Sequence, residues 1–133
     1  MNQLDIDLSR AIFSFRPDAA FKNYIDAGGF VIILADKDNA KKIIGKAGRN
    51  VKKLSEMLKK HVKIVELGQH NIMLEELLSV PVIARNKVYK QSDANTIRET
   101  YRVRIDKKFS KKVRFPSSVA SKVVDKPVEF VFE

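Results

Sequence analysis

Two glycines, Gly45 and Gly48, enclose Lys46 and Ala47 and are followed at once by Arg49. Glycine has no Cβ, so it reaches positive φ without strain and lets another backbone approach closely. A helix that starts at Gly48 would also direct unpaired N–H groups and the positive end of its dipole at an anion. These residues predict a binding site for phosphate groups. The alternative is a helical hairpin that binds nothing.

The segments on both sides of the glycines have to be helical for such a site to form. A helix is predicted before them, with Asp36 or Asp38 as its N-cap and Gly45 as a left-handed residue at its end. A second helix is predicted after them, because apolar residues recur at helical spacing from Val51 to Leu58. The glycines would then lie in a loop between two helices.

Strands are predicted outside both helices. The runs 21–26 and 30–35 are separated by Gly28-Gly29, which is typical of a β-hairpin, and the second run is apolar throughout, as in a strand buried on both faces. Residues 61–67 alternate and predict a third strand. Near the N-terminus the apolar residues fit both the alternation of a strand and the spacing of a helix. A short helix over 10–16 with Ser9 as its cap is expected there.

The second half of the chain predicts a smaller α+β arrangement, and we place the domain boundary after residue 80, giving domains 1–80 and 81–133. An extended segment is expected over 81–89 and a polar turn over 91–95. The remaining predictions are helices over 72–78 and 117–124 and strands over 100–105, 113–115 and 128–132.

The chain is strongly basic, with a formal net charge of +10 at pH 7. Such an imbalance could serve solubility alone, but it favours a polyanion as partner. The reason is that the cations form two clusters that contain few acidic residues. The first comprises Lys37, Lys41, Lys42, Lys46, Arg49, Lys52 and Lys53; the second comprises Arg98, Arg102, Arg104, Lys107, Lys108, Lys111, Lys112, Arg114, Lys122 and Lys126.

Composition excludes several other classes. There is no cysteine, so disulfides and thiolate metal sites are impossible, and a reducing compartment, the cytoplasm, is expected. No membrane span or secretory signal is predicted. His61 and His70 lack a metal-ligand spacing, and Glu75 and Glu76 point to different faces of a helix. We therefore expect that the protein is not an enzyme and that it binds no cofactor, no metal and no small-molecule substrate.

The order strand–helix–Gly-Lys-Ala-Gly–helix–strand resembles a KH domain, an RNA-binding module whose Gly-x-x-Gly loop clamps about four backbone nucleotides. The stretch Phe21–Leu67 resembles a KH domain of the type with the order helix–strand–strand–helix–helix–strand, and it is similar to the first KH domain of small archaeal NusA-like transcription factors. The matching run extends from Phe30-Val31-Ile32 through Ile44–Leu54. Leu77-Leu78-Ser79-Val80-Pro81-Val82 resembles the connection between domains in that family, so the resemblance covers residues 8–82. The resemblance implies an α+β fold: a type II KH domain, a three-stranded sheet with helices on one face, followed by a small, degenerate KH-like domain.

The resemblance also implies a ligand, single-stranded RNA, and a role in transcription elongation or termination with RNA polymerase or the ribosome as possible partners. The alternative is an adaptor that uses the KH fold as a structural component of a ribonucleoprotein. The implied RNA-binding residues are Lys41, Lys42, Gly45, Lys46, Ala47, Gly48, Arg49, Lys52 and Lys53, and the implied floor of the base groove is Ala40, Ile43, Val51 and Leu54, whose alternative is the hydrophobic core.

The C-terminal half departs from this pattern, because it contains no glycine after Gly68 and so has no second Gly-x-x-Gly. Residues 111–122 occupy the place where that loop and the second helix would be expected, so we interpret this half as a degenerate KH copy or as an unrelated α+β cap. Phe109 and Phe115 lie among basic residues and are candidates for stacking on nucleobases, with packing in the core as the alternative.

Overall fold

The structure, a computed structural model that describes residues 3–91 and 93–133, divides into an N-terminal unit, residues 1–67, and a C-terminal unit, residues 68–133. Each unit has helices and its own three-stranded sheet, so the chain has an α+β fold, as the sequence predicts. Within the described residues, no helix combines the length and the apolar character needed to cross a membrane.

The N-terminal unit has the element order helix–strand–strand–helix–helix–strand. Its elements are α1 (Gln3–Phe15), β1 (Asn23–Ala27), β2 (Phe30–Ala35), α2 (Lys37–Ile44), α3 (Arg49–Leu58) and β3 (His61–Glu66). β2 is the central strand: it pairs antiparallel with β1 through the hairpin at Gly28-Gly29, and parallel with β3 in the register Phe30–His61. The predicted hairpin, the helices around Gly45 and Gly48, and the third strand are all confirmed.

The core of the N-terminal unit lies between the three helices and one face of the sheet. Alternate residues of β2, including Val31 and Ile33, pack against α1 and against the buried residues of α2 and α3. The intervening residues of β2, Ile32 and Leu34, are buried as well. A strand that is apolar at every position is therefore shielded on both faces, as its sequence predicts.

The N-terminal helix is longer than predicted. It includes Ser9, which is an exposed residue inside the helix and not its cap, and it ends at Phe15 before Pro17. Leu8, Ala11 and Ile12 are buried in the core, and α1 packs against α3. Tertiary contacts therefore decide the conformation of a segment whose local pattern is compatible with two periods.

The C-terminal unit has the elements α4 (His70–Leu78), β4 (Ala84–Gln91), β5 (Ile97–Ile105), α5 (Ser117–Val124) and β6 (Val128–Phe132). β5 is the central strand, antiparallel to β4 and parallel to β6. The predicted helix over 117–124 and the strand over 128–132 are confirmed. The predicted strand over 113–115 is wrong, because these residues belong to an irregular segment between β5 and α5.

The two units share one strand connectivity: an antiparallel hairpin followed by a crossover to a parallel strand on the other side of the central strand. The division falls between Leu67 and Gly68, earlier than the boundary after residue 80 that the sequence predicts. The reason is that α4 packs against α5, which itself contacts β6, so α4 is part of the C-terminal core.

Candidate functional site

The segment Gly45–Gly48, here called the glycine loop, forms a tight bend between α2 and α3. Gly45 has φ 75° and ψ 174°, a conformation that is essentially restricted to glycine. Ala47, with φ 56° and ψ 28°, and Gly48, with φ 73° and ψ 14°, both lie in the left-handed helical region. Gly45 ends α2 as predicted, but its ψ differs from the left-handed helical value expected for a helix C-cap.

Gly45 is required by packing as well as by its dihedral angles. A Cβ placed on it would lie 2.6 Å from Cγ and Nδ2 of Asn50. The same Nδ2 donates a hydrogen bond of 3.0 Å to the carbonyl oxygen of Lys42, near the end of α2. Asn50 therefore links the start of α3 to the end of α2 across the loop, and the missing side chain of Gly45 provides the space for it.

Sequence reasoning did not identify this positioning role of Asn50. The sequence does contain one indication of this role: Asn50 follows the two glycines closely and lies in the first turn of α3. Asparagine side chains readily form hydrogen bonds with nearby backbone groups. The partner of Asn50, eight residues earlier, can be assigned only from the three-dimensional structure.

Gly48 is placed differently. A Cβ on Gly48 would come no closer than 3.8 Å to Val51, an ordinary contact, so its positive φ is the reason for glycine at this position. The N–H of Gly48 donates to the carbonyl of Gly45 at 3.2 Å, which closes the bend. Lys46 and Ala47, the two residues between the glycines, are exposed. The loop thus presents backbone, one small side chain and one cation to the surroundings.

Most of the predicted RNA-binding cations lie on an open surface around the loop. Lys41, Lys46, Arg49, Lys52 and Lys53 are exposed, and across residues 3–91 and 93–133 none of them forms an ion pair. Arg49 and Lys52 lie in the first turn of α3, next to Gly48. Their charges are therefore available to a ligand near the glycine loop.

Lys42 differs from the other predicted cations. Its Nζ lies 3.2 Å from a carboxylate oxygen of Asp18, and Nε of Arg16 lies 2.7 Å from the other. The hydrogen bonds from Arg16 and Lys42 hold the pKa of Asp18 well below its ordinary range. Lys42 consequently contributes less charge to an anion at the loop than its position in the sequence predicts.

This cluster makes acid stability dependent on Asp18. Because the pKa of Asp18 is lowered in the folded protein, its carboxylate stabilises the fold above the ordinary pKa of 3.8, and this contribution is lost as the pH falls below that value. We expect the melting temperature of Asp18→Asn to fall less than that of the wild type between pH 7 and about pH 3. Because Asp18 is exposed, the effect should be small and should weaken in high salt. If the melting temperatures of the two proteins fell equally between pH 7 and about pH 3, the stabilising role of the Asp18 carboxylate would be contradicted.

The predicted floor of a base-binding groove is wrong for three of its four residues. Ala40 is 3% exposed and Ile43 and Leu54 are 0% exposed, because they pack in the core against α1 and β2. Only Val51 is partly exposed, beside that core. The structure therefore brings together the glycines and the cations, but it leaves three of the four predicted apolar residues inaccessible to a ligand.

The chain is thus an α+β protein of two similarly connected units, one of which carries an exposed, basic glycine loop. No family model and no curated protein matches it. Among solved structures it is similar to one described as "Crystal structure of APE1850", with a TM-score of 0.71 and 19% sequence identity over 99% of this chain and 100% of that chain. At this level of identity the likeness shows a shared fold.

Proposed function

We propose that this protein is an RNA-binding protein of the KH class, and that its glycine loop clamps the backbone of single-stranded RNA. The observation that carries the proposal is the loop itself: an exposed bend with three positive-φ residues. Five exposed cations around it have no acidic partner among the described residues: Lys41, Lys46, Arg49, Lys52 and Lys53. KH modules use a Gly-x-x-Gly loop for this contact.

The arrangement of elements supports a type II KH domain. The glycine loop lies between two helices, and the order helix–strand–strand–helix–helix–strand is the one that the sequence resemblance implies. The C-terminal unit repeats the strand connectivity of the first unit without a glycine loop, which supports its interpretation as a degenerate KH-like domain.

The binding mechanism we propose is electrostatic capture followed by close backbone contact. Lys41, Lys46, Arg49 and Lys52 attract the phosphates, while Gly45 and Gly48 allow the loop backbone to approach them. With the apolar residues of α2 and α3 in the core, recognition would depend on the backbone more than on base identity. The role we propose for the protein is that of a cytoplasmic, non-enzymatic factor in transcription elongation or termination, with RNA polymerase or the ribosome as a possible partner.

A second candidate function is that of a structural component of a ribonucleoprotein. It is favoured by the presence of the glycine loop in only one of the two similarly connected units. Purification distinguishes the candidates: co-purifying free RNA supports the first, and protein partners in stoichiometric amounts support the second.

The salt dependence of binding tests the proposed function. With three or four phosphate contacts at the loop, we expect log Kobs for a single-stranded RNA of about six nucleotides to fall with log salt at a slope between about −2 and −3. Fluorescence anisotropy at several salt concentrations measures it. The same sequence annealed into a duplex should bind more weakly, since its bases are stacked and paired. Binding that is independent of salt, or absent at low salt, would contradict the proposal.

A further inference from the structure

Residues 106–116, here called the basic connector, join β5 to α5 in the C-terminal unit. In the N-terminal unit the same place in the connectivity, between the central strand and the helix that precedes the parallel strand, is occupied by α2 and the glycine loop. Both segments start with an aspartate that caps a turn: Asp36 accepts from the N–H of Asn39, and Asp106 from the N–H of Lys108, each at 2.9 Å. The connector is thus the topological counterpart of the glycine-loop segment.

The basic connector is densely and one-sidedly charged. It contains five cations, all of them exposed: Lys107, Lys108, Lys111, Lys112 and Arg114. Within the part of the chain that the structure describes, none of the five forms an ion pair. The single acid of the segment, Asp106, accepts the hydrogen bond that caps the turn. The positive charge is therefore not neutralised by a neighbouring carboxylate.

The backbone of the basic connector is held at both ends. The N–H of Lys107 donates to the carbonyl of Glu133 at 2.7 Å, and the N–H of Arg114 donates to the carbonyl of Leu78 at 3.3 Å. Phe115 is buried, with 7% of its surface exposed. The cations are consequently displayed on a segment anchored to the end of β6 and the end of α4, which lowers the entropic cost of ordering them on a ligand.

The chemistry of the segment favours a polyanion backbone over a protein partner. The apolar side chains that could anchor a protein interface are turned inwards: Phe115 is buried, and Phe109 is half-buried with Nζ of Lys108 above its ring at 5.2 Å. This also argues against the predicted stacking of Phe115 on nucleobases. What remains outside is mostly lysine, a residue that is depleted in protein interfaces but typical of phosphate contacts.

We infer that the basic connector is a second RNA-contact site, which binds phosphates by charge alone and requires no glycine loop. The inference rests on the proposed function, since it takes RNA as the ligand of the glycine loop. It adds to the single-stranded clamp of the N-terminal unit a separate phosphate contact made by the C-terminal unit. The like charges of the connector repel one another in the free protein, and phosphates would relieve that repulsion.

A triple variant tests the inference. Lys107→Gln, Lys111→Gln and Lys112→Gln remove three unpaired charges, and the matched control Lys60→Gln, Lys87→Gln and Lys90→Gln removes three that are already paired, with Asp26, Glu99 and Glu129. With an unstructured RNA of about thirty nucleotides, we expect the connector variant to have a log–log salt slope about 2 units shallower than the wild type. The control variant should retain the wild-type slope. Circular dichroism and thermal melting verify that both variants are folded.

Short RNA separates this inference from the proposed function. An RNA of about six nucleotides should bind the connector variant as tightly as the wild type, because the glycine loop suffices for it. A wild-type slope for the connector variant with the long RNA overturns the inference and leaves the glycine loop unaffected. The wild type could also bind polyglutamate. If the connector variant lost that binding while its binding of the long RNA was unchanged, the inference would be overturned in favour of an acidic protein partner. Failure of the wild type to bind either RNA would overturn the proposed function itself.

Discussion

The double substitution Lys46→Asp and Ala47→Asp is expected to weaken the binding of single-stranded RNA by about tenfold or more. It replaces one cation and one small side chain at the exposed tip of the glycine loop with two carboxylates. A hydrogen bond to a charged group contributes about 1.5–3 kcal/mol, and 1.4 kcal/mol corresponds to a factor of ten in affinity. The new negative charges would also repel the phosphates that the loop is proposed to hold.

The double variant should remain folded. Ala47 has φ 56° and ψ 28°, a region in which aspartate occurs more readily than most other residues. Ser9→Asp with Arg10→Asp is the matched control, because it makes the same change in net charge at exposed positions of α1. Anisotropy titrations at constant salt should show a large loss of RNA affinity for the loop variant and a small loss for the control. Equal affinities of the two variants would refute the role of the loop.

Gly45→Ala is expected to destabilise the N-terminal unit by about 2–4 kcal/mol. A non-glycine residue in the conformation of Gly45 costs about 1–3 kcal/mol. In addition, the new Cβ would lie 2.6 Å from the side chain of Asn50, which must move and lose its hydrogen bond to Lys42, at a further cost of about 1 kcal/mol. Denaturant unfolding monitored by circular dichroism measures the change in the free energy of unfolding.

Gly29→Ala is the control for this prediction. A Cβ on Gly29 would meet nothing within 4 Å, and this glycine is not among the positive-φ residues, so we expect a change within about 0.5 kcal/mol. Asn50→Ala, with and without Gly45→Ala, separates the clash from the backbone strain, because the two substitutions should be less costly together than the sum of their separate effects. A Gly45→Ala protein as stable as the Gly29→Ala protein would show that the loop is not constrained in this way.

The elements that are specified locally could be predicted from the sequence. The continuous apolar run 30–35 is a buried strand, the glycines before it form a hairpin, and Asp36 caps α2 by accepting from the N–H of Asn39. Each of these features depends on residues within a few positions of one another. The position of the glycine loop between two helices has the same local origin.

The features that depend on distant residues could not be predicted. The extent of α1 follows from its packing on α3, and the ion pair of Lys42 follows from the position of Asp18. The predicted groove floor illustrates the same limit, since helical spacing shows that Ile43 and Leu54 share an apolar face but not whether that face meets solvent or a sheet. The role of Asn50 as a link between helices also requires the folded structure.

The position of the glycine loop within the crossover from β2 to β3 has a kinetic consequence. The hairpin of β1 and β2 joins residues close in sequence, whereas the parallel register pairs Phe30 with His61 and requires closure of the whole intervening chain. Contacts of high sequence separation form slowly, because their entropic cost precedes their gain. Since the glycine loop depends on α2 and α3 being docked, the N-terminal unit is expected to acquire the geometry of this loop late in folding.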